Sequence, residues 1–150
     1  MRFLGLILLF AIAGCCTRRD CDFSNMLANA NFNNYGRTEL SNSVLIRYDA
    51  ASGWAQPVDT VRFNPALLNP MAGFSDTLHY TYTFAVPLVS QYNYRIVTPV
   101  QLIEITNFRY MTFECNSCLL RQQAESIRLE SVNVNGQEKL VSGELIQFFR

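Results

Sequence analysis

The chain has 150 residues, carries twelve basic and twelve acidic side chains, and is 49% apolar. The balanced charge gives no reason to expect a nucleic acid as partner, and the apolar fraction excludes an intrinsically disordered chain. Acid–base and Schiff-base chemistry are restricted, because His79 and Lys139 are the single histidine and the single lysine.

The first fourteen residues have the features of an export signal. Arg2 gives a positive start, and the apolar run at residues 3–13 is shorter than the roughly 20 helical residues of a membrane span. Residues 12–15 (IAGC) resemble the lipobox of bacterial lipoproteins. This resemblance implies cleavage before Cys15, a diacylglyceryl group on its thiol and often an acylated amino terminus.

Two other interpretations of this segment remain open. It could be an ordinary signal peptide cut near Gly14, or the apolar start of a cytosolic protein. With the lipobox interpretation, residues 1–14 are the signal peptide and residues 15–36 are a lipidated tether and polar arm. Residues 37–150 are then enough for a single β domain.

Four cysteines remain besides Cys15, namely Cys16, Cys21, Cys115 and Cys118. An even number in an exported chain predicts disulfides, with three possible pairings. We favour a bridge from the first two to the last two, because closing a long loop stabilises more than closing a short one. The alternatives are a redox pair at Cys115 and Cys118 and a four-cysteine zinc site.

Alternation of apolar and polar residues predicts strands along the rest of the chain. The clearest strand is residues 77–84, which places Leu78, Tyr80, Tyr82 and Phe84 on one face and threonines and His79 on the other. Further strands are predicted at residues 44–48, 58–63, 92–98, 101–115, 126–134 and 137–149.

Breaks in the alternation predict how these strands are divided. The apolar phase changes within residues 101–115, which predicts a bulge or a turn near Thr106-Asn107. Asn135-Gly136 predicts a type I′ hairpin, and residues 119–127 have the apolar spacing of a short helix. About seven strands of this kind predict an all-β antiparallel sandwich, with a small open barrel as the alternative.

The middle of the chain has a second resemblance. Residues 75–82 (SDTLHYTY) and 88–90 (LVS) resemble a small uncharacterised lipoprotein family common in Bacteroidota, over residues 44–110. Members of that family often have a cysteine and a glycine where this chain has Tyr92 and Asn93. The resemblance implies a single β domain at the cell envelope, with no established activity.

Few side chains are candidates for chemistry. His79 has Asp76 nearby, but no nucleophile elbow is present, so we expect an ordinary strand histidine. Trp54 lies in a turn-rich connection and is the best candidate for a ligand contact. We expect the glutamates on solvated faces instead of in a catalytic carboxylate pair; they are Glu104, Glu114, Glu125 and Glu130. We expect the alternating tyrosines in the core instead of in a sugar-stacking platform; they are Tyr80, Tyr82, Tyr92, Tyr94 and Tyr110.

These features predict a non-enzymatic lipoprotein of the outer membrane. Its lipid at Cys15 would anchor it, it would need no cofactor or metal, and its β domain would contact an unidentified protein. Because residues 17–19 (TRR) are basic, we expect the periplasmic face. The alternative is a glycan-binding accessory lipoprotein at the cell surface that uses Trp54, and an enzyme is the third possibility.

Overall fold

The structure is a computed structural model that describes residues 26–73, 78–114, 125–142 and 144–150. These residues form ten strands, one short α-helix and two single turns of 3₁₀-helix. The elements are β1 (Leu27–Asn33), α1 (Arg37–Ser41), β2 (Val44–Asp49), a 3₁₀ turn (Ala50–Ser52), β3 (Pro57–Arg62), a 3₁₀ turn (Pro65–Leu67), β4 (Leu68–Pro70), β5 (His79–Leu88), β6 (Tyr92–Val97), β7 (Leu102–Glu114), β8 (Glu125–Val134), β9 (Gln137–Leu140) and β10 (Leu145–Phe149).

The strands form two sheets of unequal width. The narrower sheet has four strands in the order β10-β1-β5-β4, and the wider sheet has six in the order β3-β2-β6-β7-β8-β9. Every pairing is antiparallel except that of β1 with β10, which is parallel. The predicted all-β sandwich is confirmed, and the two sheets do not close into a barrel.

The core lies between the two sheets and is rich in aromatic rings. Phe63 and Tyr82 stack with their ring centroids 4.0 Å apart, and Phe32 meets Phe63 edge-on at 5.9 Å. All three side chains are buried. Aromatic burial of this size, with favourable ring geometry, supplies much of the stability of a small domain.

Two local predictions are confirmed by the backbone. The pairing of β7 with β8 shifts register between Thr106 and Tyr110, and Asn107 within this stretch has a φ of 50°. Asn135 and Gly136 connect β8 to β9 with φ values of 50° and 80°, as a type I′ turn requires. The bulge and the hairpin therefore fix the register of three consecutive strands.

The first strand was not predicted. Residues 27–33, expected in a polar arm, form a strand between β5 and β10, with Ala30 and Phe32 buried. On its other face, Thr81 donates a hydrogen bond to Asn31 and Thr83 donates one to Asn29. The asparagines are therefore the outward half of an alternating strand.

Three further expectations need correction. The described residues contain ten strands instead of about seven, partly because residues 137–149 form β9 and β10. Residues 125–127, expected in a helix, begin β8, and the rest of that expected helix lies outside the described residues. Leu78 precedes β5 and is 42% exposed, so it does not share the buried face of Tyr80.

Candidate functional site

Several predicted site residues lie outside the described residues. They are the lipidation site and the disulfide candidates, together with the acidic neighbour of the histidine: Cys15, Cys16, Cys21, Cys115, Cys118 and Asp76. Their roles stay predictions. None of the helices in the described part of the chain has the length and hydrophobicity of a transmembrane helix.

Trp54 belongs to a cluster on the outer face of the wider sheet. The Arg95 guanidinium lies over its ring at 4.2 Å, and Tyr48 meets it edge-on at 5.1 Å. Arg95 in turn donates two hydrogen bonds to Glu104, of 2.9 and 2.7 Å, which raise the pKa of Arg95. We call Tyr48, Trp54, Arg95 and Glu104 the outer-face cluster.

This cluster makes its contacts internally. Tyr48 lies on the outer face of the sheet, yet only 7% of it is exposed. A cation above an aromatic ring and a charged hydrogen bond on the same guanidinium both stabilise the arrangement. The structure thus gives Trp54 a packing role, and its role as a ligand contact stays a prediction.

The tyrosines divide between core and surface. Tyr80, Tyr82 and Tyr94 are buried, as expected for core residues. Burial raises the pKa of Tyr82 and Tyr94. The Tyr82 hydroxyl accepts a hydrogen bond from the backbone N–H of Asn64, and the Tyr94 hydroxyl accepts one from that of Val89. Tyr92 and Tyr110 are partly buried against the core, so the five rings do not form one exposed platform.

The candidate catalytic side chains do not converge. His79 begins β5 on the outward side of the narrower sheet, whereas Glu104 is engaged by Arg95 on the other sheet. Within the described ranges, no group of three or more His, Cys, Asp and Glu side chains is placed to hold a metal ion. The geometry therefore supplies no catalytic arrangement among these residues.

Sequence reasoning missed a cleft at one side of the sandwich. It lies between β10 of the narrower sheet and the ends of β7, β8 and β9 in the wider sheet, and its volume is about 160 Å³. We call it the lateral cleft. It is lined by Gln101, Ile103, Val134, Asn135, Gln137, Lys139, Gln147, Phe148 and Phe149.

The lateral cleft has an apolar floor and a polar rim. Ile103, Val134 and Phe148 belong to the buried core, whereas Phe149 is 62% exposed at the mouth. The other lining residues are mostly polar, and Gln137 and Lys139 are exposed. A small apolar pocket with a few convergent polar groups is the usual form of a binding site.

Only some of the polar side chains on the rim form hydrogen bonds with other described residues. Gln101 donates to the Tyr35 hydroxyl, and Asn135 accepts a 2.8 Å hydrogen bond from the backbone of Glu104. Gln137, Lys139 and Gln147 form no side-chain hydrogen bond or ion pair with another described residue. The side chains of Gln137 and Lys139 are therefore available to a ligand in the cleft.

A second cavity is shallower and more apolar. It has a volume of about 320 Å³ and is lined by Val89, Ser90, Gln91, Tyr110 and Ile127. It contains no charged side chain, and Ile127 is half exposed beside it. It offers fewer directional contacts than the lateral cleft.

Comparisons of the chain with known protein families, with curated proteins and with solved structures found no match.

Proposed function

We propose that this protein is a lipid-anchored, non-catalytic lipoprotein of a bacterial outer membrane, and that its β sandwich binds another protein through the lateral cleft. The observation that carries the proposal is the cleft itself. Its floor is formed by core side chains, and Gln137 and Lys139 on its rim have no described side-chain partner. We propose the periplasmic face for the domain because Arg18 and Arg19, which follow Cys15 closely, are basic.

The anchor is supported by residues 12–15. Each buried methylene contributes about 0.8 kcal/mol, so two or three acyl chains on Cys15 would hold a small domain firmly. A Cys15→Ser variant should move from the membrane fraction to the soluble fraction, and mass spectrometry should find acyl groups on the natural chain. A membrane-bound variant and an unmodified natural chain would contradict the anchor.

Binding through the cleft is tested by crosslinking in intact cells. A photo-crosslinking amino acid at Gln137 should capture one discrete protein, because this side chain is on the rim. Gln56 is the matched control, since it is an exposed glutamine two residues from Trp54. Equal capture at both positions, or capture at Gln56 alone, would contradict binding through the cleft.

A glycan is the second candidate ligand. Amide side chains beside the exposed ring of Phe149 are groups that bind sugars by hydrogen bonding and stacking. An oligosaccharide panel titrated against the labelled protein would test this, with chemical-shift changes followed at Phe149 and Trp54. Changes at Trp54 alone would instead favour the outer-face cluster as the glycan site.

A further inference from the structure

The two sheets leave part of one inner face uncovered. On the wider sheet, Val132 pairs with Lys139 and Val134 pairs with Gln137. Directly paired residues share a face, so Lys139 and Gln137 lie on the inner face with the two valines. Val132 is 0% exposed, whereas all of β9 is exposed. The cover provided by the narrower sheet therefore ends between β8 and β9.

The strand of the narrower sheet on this side is β10, and no other described strand of the sheet lies beside its edge away from β1. The backbone of Asn29 donates to Glu144 and that of Arg150 donates to Asn33. Since N–H and C=O of one strand residue point to the same side, the even-numbered residues of β10 face β1. Gln147 and Phe149 therefore direct their N–H and C=O groups away from β1, into the space above β9.

These backbone groups are unpaired in the described structure. β10 has β1 as its neighbour in the sheet, and the Ser142–Leu145 bridge occupies Leu145 alone. No described backbone group bonds to the outward side of Gln147 or Phe149. An open row of donors and acceptors is a template for another strand.

We propose that an extended segment of a partner protein adds to β10 as a fifth strand of the narrower sheet. The segment lies over the inner face of β9 and places a carboxylate opposite Lys139. This inference rests on the proposed protein-binding function and specifies how the partner binds.

Two features favour a polypeptide over another ligand. Gln147 and Phe149 present donor and acceptor groups two residues apart, which is the spacing that a partner strand satisfies. Lys139 has no described carboxylate partner, because the adjacent Glu138 bonds to Arg109 and Ser131 on the opposite face. Main-chain pairing would give affinity, and the side chain opposite Lys139 would give specificity.

The test uses the full-length chain in detergent micelles and two display libraries of peptides of about eight residues, an ordinary strand length. Both libraries alternate apolar and variable positions. One fixes a glutamate and the other fixes a lysine at the central polar position. We expect binders from the glutamate library, and those binders should slow amide exchange at Gln147 and Phe149. The amides of Ile146 and Phe148 already face β1 and should change little.

Two substitutions at one residue separate backbone pairing from folding. Phe149→Pro removes an outward N–H and should weaken peptide binding about tenfold, since the hydrogen bond that this group donates is lost. Phe149→Ala keeps that N–H and should stay within about threefold of the natural chain. Continued protection of Ile146 shows that β10 is still paired in each variant.

A charge exchange tests the specificity. Lys139→Glu should weaken binding of the glutamate peptides about fivefold, as for an exposed ion pair. It should also shift selection to the lysine library. An unchanged preference would overturn the carboxylate assignment.

Three other results would overturn one or both proposals. If peptides bind but protect amides elsewhere, strand addition to β10 is wrong while the protein-binding function stands. If neither library yields a binder and Gln137 captures no protein in cells, both proposals fail. If oligosaccharides bind in the cleft and the Phe149 amide exchanges as before, the polypeptide assignment is wrong.

Discussion

The outer-face cluster and the lateral cleft are both mixtures of aromatic and charged side chains, yet they differ in how their groups are paired. In the cluster, Arg95 lies against Trp54 and bonds to Glu104. In the cleft, Lys139 and Gln147 have no described side-chain partner. Groups that are already paired hold the fold together, whereas unpaired groups beside an apolar floor are available for binding.

Replacing Tyr48 should cause the largest loss of stability in the outer-face cluster. Tyr48→Ala should lower the free energy of unfolding by about 3 kcal/mol, because a buried ring is lost from beneath Trp54 and Arg95. Denaturant titration followed by circular dichroism measures this change. A loss below about 1 kcal/mol would remove the structural role of the cluster.

Tyr35 connects the cleft to the core through its hydrogen bond with Gln101. Burial raises the pKa of Tyr35 to about 12, although Arg150 partly opposes this effect. A raised pKa stabilises the fold fully below the unfolded value of about 10, and this contribution is lost as the pH rises through about 12. Its size is roughly 2 to 3 kcal/mol. Tyr35→Phe should therefore reduce the loss of stability between these pH values, and equal pH profiles would contradict the assignment.

We expect an intermediate loss of stability when Trp54 is replaced, because its side chain is partly exposed. Trp54→Ala should cost about 1 kcal/mol through the lost cation–π and edge-on contacts. Trp54→Phe is the matched control, because it keeps a ring above Arg95 and should recover part of the loss. Thermal unfolding of both variants measures the difference, and equal losses would show that the ring contacts contribute little.

The smallest effect on stability is expected on the rim of the cleft. Lys139→Gln and Gln147→Ala should each change the free energy of unfolding by less than about 0.5 kcal/mol, as for exposed residues without partners. Lys139→Gln should also reduce crosslinking of the partner from Gln137. A larger loss of stability would mean that the rim holds the fold, and the contrast with the outer-face cluster would disappear.

The sequence predicts those parts of the fold that depend on local patterns. The alternation of Tyr80, Tyr82 and Phe84 identifies β5, and the phase change near Asn107 identifies the bulge. Asn135-Gly136 identifies the hairpin because both residues tolerate positive φ. Each of these signals lies within a few residues.

The missed features depend on residues that are distant in sequence. β1 also alternates, but its outward positions are asparagines, which usually indicate turns. Their bonds to Thr81 and Thr83 come from β5, some fifty residues away. The lateral cleft depends on the unequal widths of the two sheets, and no pattern within one segment encodes that difference.

The pairing of β1 with β10 has a kinetic consequence. Asn33 donates a hydrogen bond to the backbone of Phe148, and the two residues are 115 positions apart. Contacts between such distant segments form slowly, because a long loop must close before the contact stabilises the chain. We therefore expect the pairing of β1 with β10 to be a slow step in the folding of the narrower sheet.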